Sequence, residues 1–146
     1  QNQLTSFMAG TITFTMVKPD AFAKGHTGKI LDMILQGGFR LKAVKVVSLS
    51  REQAGEFYLV HKERPFYNDL VAYMSSGPVL AAILEKENAV EDYRNFIGAT
   101  NPADAREGSI RKLFGTSIQN NAVHGSDSDE NAKTEASFFF SEFERI

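Results

Sequence analysis

The stretch TITFTMVKPD, residues 11–20, indicates how the fold of this chain begins. Residues 11–17 alternate β-branched and apolar side chains, a pattern typical of a β-strand. The sequence Lys18-Pro19-Asp20 ends the strand, because proline has no amide hydrogen for a ladder and the residue before it avoids the helical conformation. A strand end followed by a proline-fixed loop is where a sheet presents functional side chains, which makes Lys18 a candidate for such a role.

The same periodicities assign the elements that follow this strand. Further strands are predicted at residues 39–49, where Lys42 and Lys45 are expected to face water, at 79–84, and as a very short segment at 122–124. Helices are predicted at 30–35 with a stop at Gly37-Gly38, after Ser50, at 66–74, from Asn88 to about Ile97, near 110–114, and from 127–130 through Ala136. Ser50 with Gln53, and Asn88 with Glu91, have the spacing of helix capping signatures.

The predicted order of elements is β-α-β-(α-α)-β-α-β-α. Strands separated by helices, with two helices covering one face, favour an α/β sandwich of the split-βαβ kind. Residues 98–120 are interrupted by Gly, Pro and Asn, and compact domains rarely carry so long a connection without a function.

Length and composition indicate one globular domain. With 146 residues the chain is too short for two ordinary domains. We expect residues 1–7 to be a disordered N-terminal remnant, or else an ordinary disordered terminus, and residues 8–146 to form the domain. The net charge of −2 argues against general affinity for nucleic acid. The lack of cysteine fits a reducing, cytoplasmic location, and no membrane association is expected because no apolar run approaches roughly 18 residues.

One of the three histidines stands out by its surroundings. His124 follows a short apolar segment and precedes Gly125, whose small size leaves room for a bulky group to approach the ring. A neutral imidazole is a competent nucleophile toward phosphorus when one ring nitrogen is free and an acceptor holds the other. Glu135 is a candidate for that acceptor, although an exposed helical glutamate is the ordinary interpretation. His26 and His61 have no such surroundings, and Asp127 and Ser128 look like helix caps.

Several cations are suited to bind phosphate, although each alone is more often a solvated surface charge. They are Lys18, Arg64, Arg94 and Arg111. Phe66 and Tyr67 offer a flat surface for a base, with a place in the core as the alternative. The chain has no glycine-rich phosphate loop and no zinc-type histidine spacing. Side chains are therefore expected to hold any bound phosphates.

Taken together, these segments resemble the nucleoside diphosphate kinase family. The most specific match is NAVHGSDS at residues 121–128. It is supported, in family order, by TFTMVKPDA at 13–21, GFRL at 38–41, FYLVHKERPFY at 57–67, SSGPV at 75–79, ENAV at 87–90, IGATNP at 97–102 and the closing SFFFSEFE. The resemblance covers about residues 11–144.

The resemblance implies a role for each matching residue. His124 would be the nucleophile that becomes phosphohistidine, with Glu135 orienting its ring and Ser126 close beside it. The catalytic end of the nucleotide, with its γ-phosphate and sugar hydroxyl, would be held by Lys18, Tyr58 and Asn121. The phosphates would be gripped by Arg64, Arg94, Thr100 and Arg111. The base would stack on Phe66, with Ile118 on its other side.

The resemblance also implies the wider properties of the protein. The fold would be a ferredoxin-like sandwich with a four-stranded antiparallel sheet, and the reaction would run in two half-reactions with broad base specificity. Mg²⁺ would arrive on the nucleotide phosphates. The chain would assemble as a homo-oligomer, either a tetramer or a hexamer, with the phenylalanine-rich tail partly serving as an assembly or packing surface.

Two positions depart from the family pattern. Lys112 follows Arg111 where the family usually has a small residue, and Lys86 stands before Glu87 where it usually has glycine.

Two rival functions fit the residues less well. A binding module of the same fold without catalysis would be expected to lack His124 or the cations. A phosphorelay protein would carry its histidine on an exposed helix face. The kinase interpretation accounts for the residues better than either rival.

Overall fold

The computed structural model describes residues 10–146. The expectation of a disordered remnant at residues 1–7 lies outside this range, and a single domain over 8–146 stays a prediction. Within the described range, no helix is both long enough and apolar enough to cross a membrane.

Four strands form one antiparallel sheet in the order β2-β3-β1-β4. The strands are β1 (Ile12–Val17), β2 (Arg40–Val47), β3 (Val79–Glu85) and β4 (Val123–Gly125). The central strands β1 and β3 are buried on both faces because helices cover both sides of the sheet. This arrangement confirms the predicted ferredoxin-like α/β sandwich.

Within residues 10–146, seven α-helices cover the two faces of the sheet. They are α1 (Pro19–Ala23), α2 (Thr27–Gln36), α3 (Arg51–Phe57), α4 (Tyr67–Met74), α5 (Ala89–Ile97), α6 (Ile110–Phe114) and α7 (Asp129–Phe139), with short 3-10 turns at Leu59–His61, Pro102–Asp104 and Glu142–Glu144. Every predicted helix is present. The sequence analysis missed α1, because it took Pro19 only as the end of a strand. Proline is also favoured at the first helical position, where its missing N–H needs no partner.

Two apolar cores lie on opposite faces of the sheet. On one face, Phe14 and Met16 of β1 pack with Met74 and the residues of α3, α4 and α7. On the other face, Val17 of β1 packs with Tyr93 and the residues of α2, α5 and α6. The alternation of β1 therefore sends neighbouring side chains into different cores, as a strand covered on both faces requires.

One of the two predicted capping signatures is confirmed and the other is wrong. Ser50 Oγ accepts from the Gln53 amide at 3.0 Å, and Gln53 Oε1 accepts from the Ser50 amide at 2.9 Å. Asn88 does not cap α5, because its backbone is left-handed (φ 55°) and its side chain makes no capping hydrogen bond. A side-chain N-cap needs an extended backbone, whereas asparagine also tolerates the left-handed region.

The edge strand β2 departs from the alternation predicted for it. A register shift lies between Leu41 and Ala43, so the lysines do not simply face water. The side chains of Lys42 and Lys45 are only 29% and 30% exposed and pair with Glu85 and Glu144. Val44 and Val46 are more exposed, at 43% and 57%. The outer strand thus presents valines to its surroundings.

The phenylalanine-rich tail divides between the core and the surface. Phe140 is buried in the core beneath α7, whereas Phe143 is 97% exposed. The Ile146 amide donates to the Lys42 carbonyl at 2.9 Å, which ties the last residues to β2. A packing role for the tail therefore holds for Phe140.

Candidate active site

A tight turn before β4 delivers His124 to the site. The Val123 amide donates to the Asn121 carbonyl two residues back at 3.0 Å, and Ala122 between them has a φ of 78°. A γ-turn with positive φ is rare and strained for a residue with a side chain. The Lys18 amide donates to the Ala122 carbonyl at 2.9 Å, which ties the turn to the end of β1. The turn therefore brings Lys18, Asn121 and His124 to the same end of the sheet.

Glu135 of α7 lies within hydrogen-bond distance of the His124 ring. His124 Nε2 lies 2.9 Å from Glu135 Oε1, and the same oxygen accepts a 2.6 Å hydrogen bond from Ser126 Oγ. Since a carboxylate only accepts, the histidine proton belongs on Nε2, and the lone pair lies on Nδ1. Nδ1 makes no hydrogen bond to any residue in the range 10–146. Aromatic rings of Phe14 and Phe57 pack against the imidazole, with centroids 6.0 and 5.6 Å away.

A cleft of about 590 Å³ opens beside His124. It brings together most of the residues singled out in the sequence: Lys18, Tyr58, Phe66, Arg94, Thr100, Arg111, Ile118, Asn121, His124 and Glu135. Three others do not line it. Arg64 is exposed, Ser126 is fully buried behind Glu135, and Tyr67 turns away to donate to the Gly55 carbonyl at 2.9 Å.

The cleft also contains residues that the sequence analysis did not assign to it. His61 lies between Tyr58 and Phe66, with ring centroids 6.4 and 5.6 Å away. Asp127, interpreted as a helix cap, instead accepts from the Asn131 side chain at 2.6 Å and lines the cleft. Ser128 is the actual cap of α7. The position of His61 three residues after Tyr58 was the available signal, since that spacing places both on one side of a helical turn.

Two buried cations lie in the cleft without a carboxylate partner. Lys18 Nζ donates to Asn121 Oδ1 at 2.8 Å, and Arg111 donates to the carbonyls of Gly98 and Val123 at 3.1 and 2.9 Å. Within residues 10–146, neither forms an ion pair with Asp or Glu. Burial, and secondarily the Arg111 charge, lowers the pKa of Lys18 to about 7. Burial likewise lowers the pKa of Arg111 to about 10. Such uncompensated charge favours an anionic ligand.

Two buried donors in the cleft have no hydrogen-bond partner among the described residues. They are the hydroxyl of Tyr58 and Nε of Arg111. Burial raises the pKa of Tyr58, so its hydroxyl keeps its proton at neutral pH. Leaving a buried donor unpaired costs about 1–3 kcal/mol, a cost that a ligand with acceptor oxygens removes.

The outer part of the cleft is apolar and open. Phe66 is 44% exposed and Ile118 is 60% exposed, and both line the cleft. The two lysines that depart from the family pattern lie elsewhere. Lys112 contacts the Ala103 carbonyl and Glu107 within the long connection, and Lys86 pairs with Asp92 at 2.6 Å.

Comparisons with known proteins agree with this geometry. A family model described as nucleoside diphosphate kinase matches residues 11–145. The chain is 59% identical to the nucleoside diphosphate kinase of Flavobacterium psychrophilum over 133 residues, which are 91% of this chain and 96% of that protein. It is 54% identical to that of Citrifermentans bemidjiense over 134 residues, 92% and 98% of the two chains.

Solved structures give the same match in three dimensions. The Aquifex aeolicus nucleoside diphosphate kinase superposes with a TM-score of 0.90 at 50% identity, covering 93% of this chain and 99% of that one. A halophilic nucleoside diphosphate kinase from Halobacterium salinarum, solved in complex with CDP, superposes with a TM-score of 0.88 at 34% identity and covers 92% and 90% of the two chains.

Proposed function

The chain belongs to the nucleoside diphosphate kinase family, and we propose that His124 carries the phosphoryl group in its reaction. Enzymes of this family move the γ-phosphoryl group of a nucleoside triphosphate to a nucleoside diphosphate through a phosphohistidine, in two half-reactions. The observation that carries the assignment to His124 is its 2.9 Å hydrogen bond to Glu135 beside a cleft that holds two unpaired cations.

In the first half-reaction His124 Nδ1 attacks the γ-phosphorus of the bound triphosphate. The Nδ1–P bond forms while the bond from phosphorus to the bridging oxygen breaks, and the diphosphate leaves with that oxygen. The imidazole becomes positively charged, and the Glu135 carboxylate at Nε2 stabilises this charge. In the second half-reaction a terminal oxygen of another diphosphate attacks the same phosphorus, and the Nδ1–P bond breaks.

The polar residues of the cleft position the phosphates and stabilise the charge that develops on them. Apart from the covalent bond to His124, phosphoryl transfer depends mainly on this positioning and charge stabilisation. Tyr58, Lys18 and Asn121 are assigned to the end of the nucleotide nearest His124, which carries the γ-phosphate. Lys18 and Asn121 already contact each other. The remaining phosphate contacts are assigned to Arg94, Thr100 and Arg111. Arg64 is exposed and does not line the cleft, so its assignment to the phosphates rests on the family resemblance alone.

The base lies between Phe66 and Ile118 at the open part of the cleft. An aromatic ring and an aliphatic side chain contact the faces of a base, and every base has such a face. Broad base specificity follows from this mode of binding, because contact with the face of a base does not depend on the groups at its edge. CDP, the ligand of the Halobacterium salinarum structure, carries a base, a sugar and phosphates of the kind this cleft fits.

Magnesium is the divalent ion proposed for the reaction. Among residues 10–146 no group of three or more His, Asp or Glu side chains is arranged to hold a metal ion. The family resemblance is the ground for proposing that the ion arrives bound to the nucleotide phosphates. Mg²⁺ typically takes one or two carboxylates and the substrate phosphates as ligands. Asp127 would be such a carboxylate ligand, because it lines the cleft and Glu135 is the carboxylate that contacts His124. The ion neutralises phosphate charge.

Self-association and location complete the proposal. The chain works as a homo-oligomer, a tetramer or a hexamer, in the cytoplasm. The edge strand β2 supports self-association, because it exposes the side chains of Val44 and Val46. An exposed apolar edge strand tends to pair with another chain.

Intact mass measurement tests the central assignment. The protein is mixed with Mg-ATP and weighed, and it is weighed again after addition of excess GDP. We expect one acid-labile phosphoryl group to be gained, to be lost on GDP addition, and to be absent in His124→Ala. Well-folded protein that gains no phosphoryl group would instead be a binding module that kept the motif without the activity.

A further inference from the structure

Two buried hydroxyl groups form a chain that ends on the backbone of His124. The Tyr93 hydroxyl lies 2.6 Å from Thr15 Oγ1, and Thr15 Oγ1 donates to the His124 carbonyl at 2.7 Å. A threonine hydroxyl has one hydrogen and a carbonyl only accepts, so Tyr93 must be the donor to Thr15. The hydrogen bonds therefore run in one direction, from Tyr93 through Thr15 to His124.

The ring of Tyr93 holds the next residue of β4 by packing. Tyr93 is 0% exposed and Thr15 is 1% exposed. A Cβ added to Gly125 would come within 3.2 Å of Tyr93 Cδ2, so the backbone of Gly125 lies directly against the ring. Phe39 supports the ring from the side, with centroids 5.3 Å apart and planes at 84°. Because protein interiors are closely packed, a shift of the Tyr93 ring would displace β4, and a shift of β4 would displace the ring.

The strand that carries His124 needs such support because it is short. β4 has three residues, and among the described strands its pairing partner is β1 alone. Arg111 holds the Val123 carbonyl from the cleft side, but Arg111 also lies where a ligand would bind. Thr15 and Tyr93 do not line the cleft, so their contacts with β4 do not depend on a ligand.

We propose that Thr15 and Tyr93 are positioning residues that fix the place of the His124 backbone in β4, and with it the approach of Nδ1 to the phosphorus of a bound nucleotide. This inference rests on the proposed role of His124. Transfer requires the reacting atoms to be aligned within a fraction of an ångström, and a displacement of about 1 Å costs on the order of 10²-fold in rate. The hydroxyl chain touches no substrate and acts only through the backbone of His124.

Four variants test the proposal. Tyr93→Phe and Thr15→Val each remove one hydroxyl and keep the shape of the side chain, and Thr15→Ser keeps the hydroxyl. Thr13→Val is the matched control, because Thr13 is a buried threonine on the same face of β1 whose hydroxyl has no partner among the described residues. For each variant we would measure kcat, KM for Mg-ATP, the single-turnover rate of phosphohistidine formation and the melting temperature.

We expect Tyr93→Phe and Thr15→Val to lower kcat and the single-turnover rate about three- to tenfold, the change that one hydrogen bond corresponds to. KM should stay within about twofold, Thr15→Ser should retain the rate, and Thr13→Val should match the wild type. If Tyr93→Phe and Thr15→Val lower only the melting temperature, or raise only KM, the positioning role is overturned. Wild-type protein that forms no phosphohistidine would overturn the role of His124 itself, a different result from any of these.

Discussion

The ammonium group of Lys18 and the side-chain amide of Asn121 are joined by a 2.8 Å hydrogen bond across the floor of the cleft, linking the end of β1 to the turn before β4. Asn121 also donates to the Thr100 carbonyl at 3.0 Å, so the contact extends to the long connection at 98–120. Lys18, Thr100 and Asn121, which are separated in the sequence, thus meet around one buried amino group.

The buried charge of Lys18 makes stability depend on pH. The pKa of Lys18 is about 7 in the folded protein against 10.5 ordinarily, so between these values the unfolded chain binds a proton that the folded chain does not. The free energy of unfolding therefore rises with pH over this window. Lys18→Met should raise it by up to about 4 kcal/mol at pH 7 and remove this part of the rise. Urea unfolding at several pH values provides the measurement.

Lys24→Met is the control for this experiment, since Lys24 is half-exposed and its side chain pairs only with Asp20 at the surface. We expect it to change the free energy of unfolding by less than about 0.5 kcal/mol. A wild-type pH slope that persists unchanged in Lys18→Met would contradict the assignment of the slope to Lys18.

Removing the negative charge of Glu135 should slow transfer while nucleotide binding is retained. Glu135→Gln keeps the shape of the side chain but no longer stabilises the charged imidazole, and its amide group can donate to Nε2 and move the histidine proton to Nδ1. We expect kcat to fall by about 10²-fold or more. Glu130→Gln, an exposed position on the same helix, should retain full turnover, and equal rates in the two variants would count against the role of Glu135.

The Tyr58 hydroxyl should matter to activity and not to folding. Tyr58→Phe removes a buried hydroxyl that has no partner among the described residues, so the free energy of unfolding should stay the same or rise by up to about 1 kcal/mol. Loss of its hydrogen bond to bound substrate should lower kcat/KM about tenfold. Tyr67→Phe should have the opposite effect. It removes the hydrogen bond to the Gly55 carbonyl, so the free energy of unfolding should fall by about 1 kcal/mol, while kcat/KM should be unchanged. Full activity in Tyr58→Phe would show that substrate does not use this hydroxyl.

Stacking on Phe66 should affect all bases alike. Phe66→Ala is expected to raise KM about tenfold for ATP, GTP and CTP, the size of one base–aromatic contact, and to leave the ratios among the three unchanged. Phe143→Ala, which truncates a side chain that is 97% exposed, should leave each KM unchanged. A KM that rises for purine nucleotides only would mean that Phe66 distinguishes bases, contrary to the proposed mode of binding.

Local patterns in the sequence predict much of this fold where a strand or helix is long enough to show its period. The alternation at 11–17 and the Ser50–Gln53 capping box both depend on near neighbours, and both are present in the structure. Asn88 was misassigned because an asparagine before a helix suits either a side-chain cap or a left-handed turn. The tertiary contact that selects the turn, between the Ala89 amide and the Gly10 carbonyl, has no local signal.

Candidate site residues could be predicted where they belong to a local sequence motif. They could not be predicted where a residue's role depends on contacts between positions far apart in the sequence. The segment 121–128 singled out His124 as a candidate from its neighbours, and His124 lines the cleft. The Thr15–Tyr93 pair spans 78 residues, and nothing in either local sequence indicates that the two hydroxyls meet. Arg64 shows the converse, since it lies within a matching segment yet does not line the cleft.

The most direct test of the account identifies the nitrogen that carries the phosphoryl group. Protein labelled with ¹⁵N-histidine is mixed with Mg-ATP, and the phosphorylated ring is observed by NMR, with His124→Ala used to assign its signals. The account predicts phosphorus bonded to Nδ1 of His124 while Nε2 keeps its proton toward Glu135. Phosphorus on Nε2, on another histidine or on no histidine would contradict it.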